Sequence, residues 1–169
     1  MKCTPFALAA ILATAAATSS ELEAPKSNLR DQSRRLQSTR QSDWIDKHNG
    51  PRKTYQVKYG GTYSKISWSN TLKNKAATLA KSFADDKCKF TAPTSKDYGI
   101  NFSASQGSAT VNSVQTIVNS WMGGLNSGYP SNGSATQVLW SATKYVGCAD
   151  SYNASEKCYA TVCLYAKVS

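Results

Sequence analysis

Leu72, Ala76, Leu79, Ala80 and Phe83 recur at spacings of three and four, and this apolar stripe predicts an amphipathic helix that Ser69 or Asn70 caps. Val114, Ile117, Val118 and Trp121 repeat the spacing, and Gly123-Gly124 should end that helix. Nearer the start, Trp44, Ile45 and His48 share one face of a short helix that Ser42 can cap and Gly50-Pro51 should stop. The period changes at residues 98–104, where Tyr98, Ile100, Phe102 and Ala104 alternate with Gly99, Asn101 and Ser103, the mark of a half-buried strand. Two more strands are expected at 144–149 and 158–168, joined by a hairpin loop over 150–157. The apolar run at 137–143 reads as buried. Helices interleaved with strands from separated parts of the chain predict an α+β fold, helices packed on a central sheet.

The termini add a compartment. Lys2, an apolar run from Phe6 and the small residues Ala15-Ala16-Ala17 form a secretory signal peptide over residues 1–17. No later stretch approaches the roughly 20 apolar residues of a spanning helix, so a soluble extracellular protein is expected. Residues 18–42 are rich in Ser, Gln and Arg and show little apolar periodicity. They are expected to be a disordered basic leader or propeptide; the dibasic pair Arg34-Arg35 is of the kind that processing enzymes cut and that basic linkers also produce by chance. The remaining 43–169 is read as one domain, since a chain of 169 residues with 40% hydrophobic content supports a single core. The net charge of +10 points to anionic polysaccharide, lipid headgroups or an acidic receptor, ahead of nucleic acid. Lys73, Lys75, Lys81, Lys87 and Lys89 fall across and just beyond one predicted helix, and most of them should form its solvated face.

With Cys3 inside the signal segment, Cys88, Cys148, Cys158 and Cys163 form an even set, which in an oxidising compartment means two disulfides. The residues alone leave three pairings open. Catalytic chemistry is poorly supplied: His48 is the only histidine, and no glutamate lies between Glu23 and Glu156. Asp43 and Asp46 share its helix at spacings that do not face it, so a serine nucleophile would lack an oriented base. Three glycosylation sequons start at Asn101, Asn132 and Asn153, and the last two fall in predicted loops.

Several motifs together resemble the CAP superfamily of cysteine-rich secretory proteins, antigen 5 and plant pathogenesis-related 1 proteins. His48-Asn49 with Arg52 is similar to the family's His-Asn-x-x-Arg, and Trp68-Ser69-x-x-Leu72 with Ala76, Ala80 and Cys88 to its second helix. Gly99-Ile100-Asn101-Phe102 stands where the family has Gly-Glu-Asn-Leu. Ser134-Ala135-Thr136-Gln137-Val138-Leu139-Trp140 stands where it has His-Tyr-Thr-Gln-Val-Val-Trp, followed by Val146-Gly147-Cys148-Ala149. The resemblance, over residues 43–165, implies an α-β-α sandwich around a mainly antiparallel sheet, with Cys88 bonded to Cys158 and Cys148 to Cys163. It also implies a cleft of two histidines and two acidic residues able to hold a divalent metal. Here that cleft is degenerate, its positions falling on His48, Ile100, Gly124 and Ser134. No metal, cofactor or enzymatic activity is then expected, and a Ser134–His48 dyad is the one hydrolytic arrangement left to consider. The resemblance implies a monomeric binder of an apolar ligand such as a sterol or fatty acid, in defence or host interaction. The alternative is an interaction protein whose basic surface meets a cell-wall polymer or receptor. Asn101 matches an asparagine used inside the fold and should carry no glycan.

Overall fold

The computed structural model describes residues 26–91, 93, 97–108, 110–123, 125 and 133–167, so the signal segment, Gly124 and Asn132 lie outside the described residues. Among them the order is α1 (Lys26–Lys58), β1 (Ser67–Trp68), α2 (Asn70–Asp85), β2 (Gly99–Gln106), α3 (Val114–Met122), α4 (Gly133–Leu139), β3 (Tyr145–Asn153) and β4 (Cys158–Ala166). The sheet runs β1-β3-β4-β2. Only the two-residue β1 is parallel to its neighbour, and β3, β4 and β2 are antiparallel. The hairpin is longer than its sequence suggests, because β3 continues to Asn153. There the Asn153 carboxamide oxygen accepts from the Ser155 and Glu156 amides and closes the turn.

Strand alternation divides the core in two. Ala149, Ala160, Val162 and Leu164 point to α2 and meet Leu72, Ala76, Ala80 and Phe83, with Ile100 and Phe102 packed alongside. Val146, Cys148, Cys163 and Tyr165 point to the other helices and meet Trp44, Val118, Trp121 and Val138. The result is a three-layer α-β-α sandwich. The sheet and α2 lie backbone to backbone at Gly147, where a Cβ would run into the backbone of Ser69, Leu72 and Lys73 at the start of α2. Each core holds one disulfide. Cys148 faces Cys163 across β3 and β4, and Cys88, placed by left-handed Lys87 and Cys88 after α2, bonds Cys158.

α1 departs from expectation at both ends. Residues 26–42 are helical where a disordered leader was expected, apart from 18–25, which lie outside the described residues. Apolar periodicity reports a buried face, and residues 28–39 bury none, each being exposed, so the helix leaves no such signal. No Gly or Pro interrupts 26–49, and Arg40 pins the helix to Asp150 at 2.6 Å. Ser42 is no cap, since its hydroxyl donates to the Thr39 carbonyl inside the helix. Nor does Gly50-Pro51 stop it: Pro51 is interior, at a usual cost of about 3 kcal/mol. Polar anchors on both sides of Pro51 hold the helical course.

Candidate functional site

His48 is fully buried three residues before Pro51, enclosed by the rings of Trp44, Trp121 and Tyr165 at centroid distances of 5.9, 6.2 and 5.6 Å. Its Nδ1 lies 2.7 Å from the Trp44 carbonyl, which can only accept, so Nδ1 carries the proton. Nε2 then accepts from the Tyr165 hydroxyl at 2.9 Å. Asn101 Nδ2 in turn donates to the Tyr165 oxygen and to the Ser134 carbonyl. Every direction in this chain of hydrogen bonds is therefore set. Burial is the main cause that lowers the His48 pKa, to about 4, while the bond to Trp44 works against it and Arg52 adds to it. Burial likewise pushes the Tyr165 hydroxyl up. The ring is neutral, with both nitrogens occupied.

This closes the hydrolytic arrangement considered above. A general base needs a free lone pair, and the one on Nε2 is held by Tyr165, leaving nothing to take a proton from Ser134. A divalent metal does not fit either. Zinc asks for at least three protein ligands, and the described residues around His48 are three aromatic rings and, beyond Tyr165, a carboxamide. Among the described residues no three His, Cys, Asp or Glu side chains gather into a metal site. Asn101 Oδ1 is a buried acceptor without a partner, a single neutral oxygen.

The four expected cleft residues do not form one cleft. Ile100 must be corrected: it pairs with Leu164 and packs on the α2 face, whereas His48 lies on the opposite face of the sheet. Alternation along β2 puts Asn101, not Ile100, on the His48 side. Ser134 is joined to His48 only indirectly, by its backbone carbonyl through Asn101 and Tyr165. Gly124 falls outside the described residues. Of the sequon asparagines, Asn101 is buried, Asn153 is half-buried with its amide donating to Asp85, and Asn132 is not described.

A second polar device holds the chain around α4. Arg52 is fully buried and donates to the carbonyls of Ser64, Val138, Trp140 and Thr143. Burial lowers its pKa, yet a guanidinium stays charged, so those carbonyls stand in for a counter-ion. Gln56 adds a bond to the Leu139 carbonyl and accepts from the Ser64 amide, while Asn49 pairs both ways with the Ile66 backbone. Gln56 and Tyr165 escape motif reading. A signal was present, however: Trp44, His48, Arg52 and Gln56 recur every four residues straight across Gly50-Pro51, which is the stripe of a helix that does not stop there.

The clamp turns Trp140 outward. Its carbonyl is held by Arg52, while the residue, expected to be buried, is 47% exposed. Beside it a cleft of about 650 Å3 opens between the start of β2 and α4, walled by Trp140 and Tyr98, with Lys167 among its lining residues. The Gln137 carboxamide lies across the strand at Gly99, where a Cβ would displace it. Unlike the enclosed surroundings of His48, this cleft is open.

The family model for cysteine-rich secretory proteins matches residues 45–165. No curated protein sequence matches the chain. Among solved structures, NaASP2 crystallised with Zn2+ superposes with a TM-score of 0.61 at 18% identity, covering 76% of this chain and 79% of that one. Venom allergen-like protein 4 of Schistosoma mansoni gives 0.56 at 20%, over 75% and 87%. A hookworm platelet inhibitor gives 0.55 at 21%, over 76% and 68%. At such identities the fold is what is shared. The sandwich, the two disulfides and a family match that spans almost every described element agree: the chain belongs to the cysteine-rich secretory protein, or CAP, family.

Proposed function

We propose that this CAP protein is a non-enzymatic, exported binding protein whose ligand is apolar, a sterol or a fatty acid, held along the cleft between Tyr98 and Trp140. The observation that carries this reading is the exposed Trp140 beside a cleft of about 650 Å3, a size usual for small-molecule sites. Indole and phenol rings give an apolar ligand body surface to cover, and Lys167 at the same cleft offers a cation to a fatty-acid carboxylate. Two disulfides suit an oxidising compartment, and no described helix is long and apolar enough to cross a membrane. The zinc of the NaASP2 crystal has no counterpart in this reading, because both nitrogens of His48 are occupied and no metal-binding group forms among the described residues.

Native mass spectrometry of the extracted protein, re-exposed to ergosterol or palmitate, tests it. A stoichiometric adduct that disappears in Trp140→Ala while the fold persists is the expected result. A protein that never loads, or a Trp140→Ala variant that loads equally well, overturns it.

A further inference from the structure

A different cleft, of about 350 Å3, lies between α1, α2 and β3. It exists because β1 is so short: β1 pairs only with Tyr145 and Val146, so beyond Val146 the edge of β3 has no strand beside it. Helices close the gap instead. From α1 come Gln37 and Gln41, from α2 comes Lys73, and the half-buried Trp68 indole forms a wall. Arg40 also lines the space, but its guanidinium is spent on Asp150, in two bonds of 2.6 and 2.9 Å. The side chains of Gln37, Gln41 and Lys73 have no hydrogen-bond or ion-pair partner among the described residues.

Two free carboxamides, one free ammonium and an indole around one small concavity form a specific set of demands. Carboxamides both donate and accept, which suits vicinal hydroxyls. The indole offers a flat apolar face for a ring of C–H groups, and the ammonium needs one anion. With Arg40 and Asp150 cancelling each other, Lys73 leaves the cleft with a single net positive charge. We infer that this cleft is a binding site for an acidic sugar residue, a uronic acid within an oligosaccharide, with its ring against Trp68, its hydroxyls on Gln37 and Gln41, and its carboxylate on Lys73. An added peptide strand fits less well. Only Cys148, Ala149 and Asp150 of the β3 edge line the cleft, and the Asp150 side chain is turned to Arg40. The site is separate from the Trp140 cleft and does not depend on a lipid being bound.

Isothermal titration of the delipidated full chain with trigalacturonate, with maltotriose and with a short polyglutamate peptide reads the site. Trigalacturonate should bind at one site per chain, at least tenfold more tightly than either of the others. Lys73→Gln should weaken it about tenfold and bring it level with maltotriose. Gln41→Ala should weaken it severalfold, and Trp140→Ala should leave it unchanged. Because Trp68 also packs on the core, these two surface substitutions carry the test, each checked for an unaltered thermal midpoint. Absence of binding, equal affinity for maltotriose or for the peptide, or binding indifferent to Lys73→Gln overturns the inference. An effect of Arg34→Gln, on the exposed part of α1, as large as that of Lys73→Gln would also overturn it by pointing to diffuse charge.

Discussion

The two faces of the sheet are held by different physics. On the α2 side, stability comes from small and aromatic apolar residues, with Phe83 meeting Phe90 and Phe102 edge-on at 5.3 Å. On the other side the same sheet supports buried polar groups: His48, Asn101, Gln56 and an arginine with no carboxylate. Apolar packing tolerates adjustment, since a shifted ring still excludes water. A hydrogen-bonded network does not, because each buried group left without a partner costs about 1–3 kcal/mol. The polar face therefore fixes the position of α4 and the Trp140 cleft, and the α2 face supplies bulk cohesion.

Arg52→Met should break the contrast most sharply. It strips the carbonyls of Ser64, Val138 and Thr143 of their side-chain donor, while Trp140 keeps the Thr143 amide. We expect a loss of about 4 kcal/mol or more in denaturant unfolding, together with loss of ligand at the Trp140 cleft. Phe83→Ala on the opposite face should cost about 3 kcal/mol through a cavity and leave ligand binding intact. If the two variants lose binding alike, the division of labour between the faces is wrong.

Acid should act on the polar face through His48. His48 titrates at about 4 when folded against 6.5 unfolded, so the unfolded chain takes up a proton first. Its contribution is intact above about pH 6.5 and is lost as pH falls to about 4, worth about 3 kcal/mol in all. Unfolding free energies measured from pH 7 to pH 4 should show this slope, and His48→Gln should flatten it. Phe83→Ala should shift the whole curve down without changing its shape.

Much of the α2 face was legible in the chain. Leu72, Ala76, Ala80 and Phe83 announce a helix by spacing, Ile100 and Phe102 announce a strand by alternation, and burial of apolar residues is all that this face requires. The polar face was only partly legible, because its contacts join residues far apart in sequence. Arg52 reaches carbonyls 86 to 91 positions away, and no local pattern identifies which carbonyls it will meet. Ile100 shows the limit of carrying a site over by motif: a strand residue and its neighbour face opposite ways, so a one-residue difference moves a side chain to the other core. The exposed half of α1 was illegible for a simpler reason, since hydrophobic spacing is silent about a helix that buries nothing.

The bond between Cys88 and Cys158 joins residues 70 positions apart, and within that span lie β2, α3, α4 and β3. With the Cys148–Cys163 bond reaching from inside that span to beyond it, the folded region is as a covalent object a pair of fused rings, not a string. A single peptide cut anywhere between Cys88 and Cys158 opens a ring without dividing the molecule, and both cut ends remain attached to the same sheet. Proteolytic damage there is converted from loss of a fragment into a nick, and the Trp140 cleft, most of whose lining belongs to that span, stays in one piece.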